Sequence, residues 1–470
     1  MSRTPVFAVV GAGASGLACA HRLSELSRKE DRPAVIRVFD SSDRAGGVVS
    51  SRTRDGFLWE EGPDCYLTEK PAALNLCRRL GLGDDIVGTN PLHQKSFIVH
   101  HGRLHETPEG FYLLAPTRLL PLVTTPLFSW GGKLRMAMEM LLPRVLKNGG
   151  DISLADFVRR RLGVEALERA AQPMVAGIYS ADPEELSLRA TFPRFLELEK
   201  RYGSVIRGLL AERKIRRGLN RGVSGPRYSL FATLKGGLSK MVDALVAALP
   251  SDALRLRTTV DGLRPSGNGW ELSVQDGPFQ TDAVCLAIPA PKARDLAAST
   301  DPEAASLLDS VPYGDAVTLH LAYRREDVSH PLDGFGFVVP SRENRSLSGC
   351  SFANVKFPHR APEGFVLLRA FQGGVSQKDG DWIESVRRDL RDFLGIQAPP
   401  LWTSVRRFSA SMPRYRVGHL DRMARLNERL ARHPGLTLAG NGLDGIGLPD
   451  CVRLGETAAE TMWDHAKKNP

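Results

Sequence analysis

Three glycines near the start of the chain, Gly11, Gly13 and Gly16, have the spacing G-x-G-x-x-G, which suits the binding of a pyrophosphate. The first glycine permits a tight turn, the second lets a phosphate approach the backbone, and the third lets a helix pack closely on a strand. Ala14 and Ser15 would then lie at a helix N-terminus, where N–H groups and the helix dipole favour an anion. The spacing therefore predicts a dinucleotide site.

The stretches around this motif predict the elements that must position it. An apolar run, VFAVV, precedes the glycines, and a second β-branched run, AVIRVF, follows the predicted helix and ends at Asp40. An acid at the end of the second strand, with Ser41 beside it, suits hydrogen bonding to ribose hydroxyls. A secretory signal peptide is the alternative for an apolar N-terminal stretch, but such a peptide rarely carries three glycines at this spacing.

A second segment indicates the kind of dinucleotide. Arg44 precedes the pair Gly46 and Gly47, and this segment resembles the second signature of the flavin amine oxidase superfamily, which runs beside FAD. Positions without a Cβ atom suit a bulky ring system, and a guanidinium can neutralise phosphate charge. A basic surface turn is the alternative. The following run, EGPD, adds three predicted FAD contacts: Gly62, Pro63 and Asp64.

A third glycine-rich stretch, LAGNGLDGIGLPDC, lies near the end of the chain. We expect Gly440 and Asn441 to approach the ribityl and phosphate part of FAD from a strand end. Gly447, Leu448 and Pro449 would begin the last helix, since proline is favoured in a first turn. The N-terminus of that helix would point N–H groups at the pyrimidine edge of the flavin, which gains negative charge on reduction. A plain connection from strand to helix is the alternative.

The composition, with 42% apolar and 25% charged residues over 470 residues, is typical of a soluble globular protein of two or three domains. Six scattered cysteines form no C-x-x-C pair and no zinc-like spacing with histidine, so we expect reduced thiols, a cytoplasmic location and no metal site. The net charge is +10, but the basic runs at 211–222 and 404–433 lack interleaved aromatic residues. Nucleic acid is therefore not an expected partner, and anionic small substrates or anionic lipid surfaces remain.

The order of the elements predicts an α/β fold, in which a Rossmann-like FAD-binding domain is interleaved with a mixed-sheet substrate domain and an α-helical region. After the helical region the chain returns to the dinucleotide domain, where Val260 is expected to offer backbone groups to adenine. The predicted boundaries are 1–92, 216–300 and 416–470 for the FAD-binding domain, 93–215 for the helical region, and 301–415 for the substrate-binding sheet.

The most apolar part of the helical region, residues 117–147, is interrupted by prolines, glycines and charges, so it is not expected to span a membrane. Leucine, phenylalanine, tryptophan and methionine beside lysine and arginine suit a segment that lies in a membrane interface. A roof over an apolar active site and an ordinary pair of core helices are the alternatives. We expect peripheral contact with the inner face of the membrane at most.

Several stretches together resemble the protoporphyrinogen and coproporphyrinogen oxidase family over almost the whole chain. GIYSADPEELS and GLPDCV are specific to this family, and VVGAGASGL, RAGG, EGPDCYL, LKGGLSKM and MPRYRVGHLDR add to the resemblance. The resemblance implies noncovalently bound FAD, a large pocket for a cyclic tetrapyrrole, and a helical region that meets the membrane in many members. The substrate-binding residues that it implies are Lys70, Gly177, Ile178 and Phe337.

The same resemblance implies a reaction in heme biosynthesis. A porphyrinogen would lose six electrons in three cycles of hydride transfer to flavin N5, with dioxygen as acceptor, hydrogen peroxide as by-product and hand-off of the porphyrin to ferrochelatase. No side chain is then needed as a catalytic residue. Some members bind a propionate with an arginine before the F-x-V strand, where this chain has Lys95 and Ser96. This departure, together with Lys70, favours coproporphyrinogen III over protoporphyrinogen IX, and both remain open.

Two other classes of protein remain open. A flavin amine oxidase or a carotenoid desaturase would share both FAD motifs, but neither is expected to carry GIYSADPEELS. Amine oxidases also place two aromatic rings over the flavin from a C-terminal motif, and NGLDGIG offers none. A non-catalytic membrane adaptor stabilised by FAD is the other class, and the complete set of cofactor segments argues against it.

Overall fold

The structure is a computed structural model, and it describes residues 3–112, 115–116, 118–144, 150–179, 181–219, 230–372 and 382–469. Residues 117 and 145–147 of the predicted apolar segment and residues 220–222 of the first basic run lie outside these ranges. The described strands form two large sheets, one parallel with five strands and one mixed with seven strands, together with smaller sheets. Helices pack on both large sheets, which confirms the predicted α/β fold.

The five-stranded sheet takes its strands from three separated parts of the chain. All neighbouring strands in it are parallel, and runs of buried β-branched residues are typical of parallel strands with both faces covered. In sheet order its strands are Leu254–Arg255, Val35–Phe39, Val6–Val10, Ala283–Leu286 and Leu436–Leu438.

Two apolar cores lie on opposite faces of this sheet, because alternate residues of Val6–Val10 point to opposite sides. On one face the first helix, Ala14–Lys29, packs against the last helix, Leu448–Lys468. Helices Pro71–Arg79 and Ser239–Ala247 complete that core. The other face is covered by the antiparallel strands Val260–Ser266, Gly269–Val274 and Gly277–Thr281 and by helices Ala290–Ala297, Pro302–Asp309 and His419–Leu430.

The seven-stranded sheet is the second large sheet of the protein, and helix Trp382–Leu394 packs on one of its faces. Its strands run antiparallel to their neighbours except for one parallel pair, Gly336–Val338 with Phe97–His100. In order the strands are Trp402–Pro413, Tyr313–Arg324, Phe365–Gln372, Leu347–Phe352, Gly336–Val338, Phe97–His100 and Arg103–Glu106. The two strands between residues 97 and 106 therefore join this sheet, although the sequence grouped them with the helical region.

A third apolar core belongs to the helical region between residues 118 and 219. Its helices are Leu119–Thr124, Trp130–Ala137, Leu154–Arg161, Val164–Ala166, Gln172–Tyr179, Leu188–Thr191, Pro193–Tyr202 and Val205–Leu219, with a π-helical turn at Leu167–Ala171. Across the described part of the chain, no helix combines the length and the apolar character that crossing a membrane requires.

Short elements connect these layers. The small sheets pair Ser51–Arg54 with Phe57–Glu60, Phe111–Tyr112 with Ala115–Pro116, and Phe231–Leu234 with both Tyr66–Leu67 and Ile86–Gly88. One further α-helix is Ala353–Lys356, and the 3-10 turns are Gly83–Asp85, Met138–Leu141, Arg325–Asp327, Ser341–Glu343 and Pro358–Arg360.

Candidate cofactor and active site

The three N-terminal glycines have different surroundings. A Cβ atom on Gly11, whose φ is 105°, would lie 2.4 Å from the carbonyl oxygen of Ala287, and one on Gly16 would lie 1.8 Å from the carbonyl oxygen of Gly11. A Cβ atom on Gly13 would meet no atom of the described residues within 4 Å. The first and third glycines are therefore required by packing inside the protein, whereas the second presents bare backbone, as a phosphate-binding turn needs.

The helix that follows this turn suits an anion. Gly13 is its N-cap, and no side chain among the described residues caps the free N–H groups at this end. The first turn of Ala14–Lys29 contains no acidic residue. An uncapped helix N-terminus beside a bare glycine turn is the arrangement that binds the pyrophosphate of a dinucleotide, so the residues present fit FAD.

The carboxylate of Asp40 lies at the end of the second strand and holds the glycine turn. One of its oxygens accepts a hydrogen bond from the Ala12 amide at 2.6 Å, and the other accepts from the Ser42 amide at 2.8 Å. The backbone of Asp40 also pairs with Arg255 and Thr258, which bring the chain to Val260 at the start of the next strand. The ribose and adenine contacts of Asp40, Ser41 and Val260 stay predictions.

The second glycine segment lies directly beside the first. Gly13 and Gly46 form a parallel β-bridge, and the Gly46 amide donates to the carbonyl oxygen of Ala12 at 2.8 Å. Gly46 and Gly47 both have positive φ, 102° and 58°, which glycine adopts without strain. Arg44 donates to the carbonyl oxygens of Ala45, Gly47 and Val49, so its guanidinium braces this loop.

A buried group of charges fixes the EGPD segment. Gly62 is required by packing, because a Cβ atom there would lie 1.8 Å from the carbonyl oxygen of Val48. Asp64 accepts from Lys356 Nζ at 2.9 Å and lies 3.3 Å from Arg369 Nη1, and Arg369 also donates to the Gly62 carbonyl oxygen. Burial alone would raise the pKa of the Asp64 carboxyl, but the two cations outweigh it and hold that pKa well below its usual range.

Sequence reasoning missed Lys356 and Arg369. They belong to the second large sheet and its connections, and Lys356 is 292 residues away from Asp64 in sequence. No local spacing connects these positions, and only a prediction of the contact between the two domains could have found them.

The strand end near Gly440 is held by three polar side chains. The side-chain oxygen of Asn441 accepts from the Tyr313 hydroxyl at 3.4 Å, and its amide nitrogen donates to the Ser411 carbonyl oxygen at 3.1 Å. Tyr415 donates its hydroxyl hydrogen to the Asn441 carbonyl oxygen. Gly440 has a φ of 143°, which favours glycine. The chain reaches the predicted ribityl contact in a fixed conformation, with the side chain of Asn441 bonded to protein groups.

The first half of the last helix packs against the N-terminal turn of the first helix. A Cβ atom on Gly455 would lie 2.1 Å from the carbonyl oxygen of Ser15, so the two helices cross in contact. Burial raises the pKa of the Cys451 thiol to about 11, and a hydrogen bond with Ser15 opposes that rise only in part. Gly447 is the N-cap, without a side-chain cap among the described residues, and Pro449 lies in the first turn. The three predicted FAD segments therefore converge on one place.

The predicted substrate-binding residues fall into different surroundings. The ammonium nitrogen of Lys70 lies 2.9 and 2.7 Å from the two carboxylate oxygens of Asp450. Gly177 is exposed, and a Cβ atom on it would lie 4.0 Å from Val338 Cγ1. The side chain of Ile178 lies outside the described part of the structure.

The prediction for Phe337 is corrected by the structure. Its side chain is buried in the core under the mixed sheet, with its ring 5.5 Å from that of Phe393. Consecutive residues of a strand point to opposite faces, and Val338 is the neighbour that faces Gly177. Val338 is therefore the residue of this strand that faces Gly177, and its contact with a substrate is a prediction.

The remaining candidate groups are Lys95 and Ser96, the possible metal ligands, and the cysteines. Lys95 is exposed and pairs with Glu106 at 3.2 Å and Asp333 at 3.5 Å, and Ser96 precedes the strand Phe97–His100. Within the described ranges, no three His, Cys, Asp or Glu side chains are grouped as metal ligands. All six cysteines are free thiols.

Fold and site together define a flavin-dependent oxidoreductase with a Rossmann-like dinucleotide turn. The family of flavin containing amine oxidoreductases matches residues 14–462, and the chain belongs to this family. FAD is its cofactor.

Individual relatives match over almost the whole length. The chain is 33% identical to coproporphyrinogen III oxidase of Bacillus subtilis, with 96% of each chain covered. It is 30% identical to chloroplastic protoporphyrinogen oxidase 1 of Arabidopsis thaliana, with 96% of this chain and 87% of that protein covered. A crystal structure of a protein from Exiguobacterium sp. 255-15 superposes with a TM-score of 0.84 at 30% identity and covers 98% of this chain and 99% of that one.

Proposed function

We propose that the protein oxidises a porphyrinogen to the porphyrin in heme biosynthesis, with noncovalently bound FAD and with dioxygen as the final acceptor. Bound FAD supplies a two-electron acceptor at each turnover. The loss of six electrons then requires three turnovers, which consume three molecules of dioxygen and release three of hydrogen peroxide. The names of the relatives from Bacillus subtilis and Arabidopsis thaliana support this class of substrate.

The observation that carries the proposal is the position of the helix Gln172–Tyr179. Tyr179, at the end of this helix, is buried in the apolar core of the helical region, and Ile446, just before the last helix, packs against the same core. This end of the helix therefore lies close to the start of the last helix. Gly177, on the same helix, is exposed and faces Val338 of the mixed sheet. A flat macrocycle between helix, sheet and flavin would need this bare backbone, because a side chain there would enter its space.

The residues of this site position the reactants and exclude water, and none acts as an acid or a base in the proposal. The glycine turn around Gly13 and the uncapped ends of the first and last helices bind the cofactor, while Val338 and the backbone of Gly177 border the substrate. Coproporphyrinogen III is the favoured substrate, because its four propionates suit a site with a half-exposed cation, Lys70. Hand-off of the product to ferrochelatase stays a prediction.

A fluorescence assay tests the proposal. The purified protein is incubated in air with coproporphyrinogen III or with protoporphyrinogen IX, and the porphyrin and hydrogen peroxide are measured together. We expect three molecules of peroxide per porphyrin, with faster turnover of coproporphyrinogen III, and intact FAD in the supernatant after denaturation. Absence of porphyrin from both substrates, alongside oxidation of an amine by the same preparation, would contradict the proposal.

A second candidate role, peripheral contact with a membrane, is favoured by a set of exposed apolar side chains on the helical region, called here the apolar patch. The members of this apolar patch are Leu120, Val123, Trp130, Leu134, Met138 and Leu141. Trp130 is 72% exposed and Leu141 78% exposed. The ammonium of Lys133 lies 4.5 Å from the Trp130 ring centroid, so a cation accompanies the apolar surface, as in segments that lie on anionic lipid.

Sedimentation with vesicles tests this role. Wild-type protein should sediment with vesicles that contain anionic phosphatidylserine and should be released by high salt. The double variant Trp130→Ser, Leu134→Ser should stay in the supernatant. Leu92→Ser, which removes a leucine that is 83% exposed outside the apolar patch, is the matched control and should bind like wild type. Equal binding of all three proteins would assign the membrane contact to another surface.

A further inference from the structure

The carboxylate of Asp450 is a buried charge in the first turn of the last helix, Leu448–Lys468. The residue is 6% exposed, and both of its oxygens lie within 2.9 Å of the Lys70 ammonium. Arg453 Nη2 is 3.9 Å away and donates to Asp444 at 2.8 Å. Of these two cations in the described part of the chain, Lys70 is therefore the one at hydrogen-bond distance from the carboxylate.

The glycine turn before the helix holds this carboxylate in place. Gly445 has a φ of 96°, and a Cβ atom on it would lie 2.2 Å from Asp450 Cγ. The Asp450 amide donates to the Gly447 carbonyl oxygen at 2.9 Å. Because the turn is packed around the carboxylate, Asp450 cannot swing away from the helix end, and its charge must be compensated where it lies.

The location of this charge matters for the cofactor. The helix that begins with Asp450 in its first turn packs on the start of the first helix, because a Cβ atom on Gly455 would lie 2.1 Å from the carbonyl oxygen of Ser15. The first helix carries the glycine turn that fits a pyrophosphate, and the last helix is expected to face the flavin edge that gains negative charge. An uncompensated carboxylate at this place would repel an anionic cofactor, and would oppose the helix dipoles that favour it.

We propose that Lys70 is a residue of the cofactor site, in which its ammonium neutralises Asp450 and so permits tight binding and easy reduction of FAD. This role is additional to the predicted propionate contact, because the side chain of Lys70 is still 51% exposed. It depends on where FAD binds and not on the identity of the porphyrinogen, so it can be tested without any substrate.

The test is the affinity of the apoprotein for FAD, measured by quenching of flavin fluorescence, together with the midpoint potential of the bound flavin. Lys70→Met should weaken FAD binding on the order of tenfold and lower the potential, because Asp450 is left negative. Asp450→Asn should bind FAD at least as tightly as wild type. The double variant Lys70→Met, Asp450→Asn should return both quantities to near wild-type values.

Two control variants separate the charge of Lys70 from general effects of removing a lysine. Lys95→Met removes a surface lysine with its own acidic partners and should change neither quantity. Lys70→Arg keeps the charge and should behave like wild type, which separates loss of charge from a folding defect; melting of each apoprotein checks the fold. If Lys70→Met raised KM for a porphyrinogen and left FAD affinity and potential unchanged, Lys70 would be a substrate contact alone, and the inference would be wrong.

Discussion

The Nε2 atom of His419 lies 2.7 Å from the carbonyl oxygen of Leu443, two residues beyond the predicted FAD contact Asn441. The imidazole ring is fully buried and stacks on Tyr415 with 4.0 Å between the ring centroids. Since Tyr415 donates to the carbonyl oxygen of Asn441, the two stacked rings together hold the strand end that the cofactor must meet.

This relationship predicts that acid releases FAD. Burial lowers the pKa of His419 to about 4, against an unfolded value of about 6.5. A depressed histidine pKa means that the neutral ring stabilises the fold fully above pH 6.5, and that this stabilisation is lost as the pH falls toward 4. Flavin fluorescence in a filtrate should therefore rise across this interval. His419→Gln cannot be protonated and should flatten the curve; an unchanged curve in that variant would exclude His419.

Gly13 and Gly16 form a matched pair for testing the dinucleotide turn. Gly16→Ala places a Cβ atom 1.8 Å from a backbone oxygen and should lower the free energy of unfolding by about 3 kcal/mol. Gly13 has an ordinary φ of −73° and no protein atom described near its Cβ position, so Gly13→Ala should leave apoprotein stability unchanged. Its FAD affinity should fall, because the methyl group occupies the approach of the phosphate. Urea unfolding measures the loss of stability, and FAD titration measures the loss of affinity. Equal FAD affinity in Gly13→Ala and wild type would mean that the phosphate binds at another place.

Gly177 tests the placement of the substrate. Gly177→Leu should abolish porphyrinogen oxidation and retain FAD content and melting temperature, because the glycine is exposed and the added side chain enters substrate space. Gly177→Ala adds a Cβ atom at ordinary contact distance from Val338 and should retain part of the activity. Turnover, flavin absorbance and thermal melting decide the outcome. Normal turnover of Gly177→Leu would place the pocket elsewhere.

The sequence predicted well those features that depend on local backbone requirements. Gly11, Gly16 and Gly46 are glycines because a Cβ atom would collide or the φ is positive, and such requirements leave a visible spacing. The face of a strand on which a residue lies is harder to predict from the sequence, because Phe337 and Val338 are both apolar. The observed sheet and its covering helix show which of the two points inward.

Ion pairs between distant parts of the chain could not be predicted. Lys70 and Asp450 are 380 residues apart in sequence, and each looks like an ordinary polar residue. In the sequence, Lys70 is identified through the family resemblance, and Asp450 only as one residue of the motif GLPDCV. Their contact requires the helix Pro71–Arg79 to pack beside the last helix, which is a property of the complete core.

The pair formed by Lys356 and Asp64 carries the last prediction. Their side chains are 13% and 23% exposed, so Lys356→Met leaves a largely buried carboxylate without its nearest cation. We expect a loss of about 3 kcal/mol in the free energy of unfolding, measured by urea denaturation at neutral pH. Adding Asp64→Asn should recover most of that loss.

The pH dependence of this pair gives a second test of the same variants. The folded pKa of Asp64 is depressed, so its stabilising contribution is complete above the unfolded value of about 3.9 and is lost as the pH falls below it. The difference between wild type and Lys356→Met should therefore shrink only in strong acid. Lys240→Met is the control, because Lys240 forms an exposed pair with Asp85 and should cost less than about 1 kcal/mol. Equal losses in the free energy of unfolding from Lys356→Met and Lys240→Met would mean that the Asp64 carboxylate is as well solvated as a carboxylate on the surface.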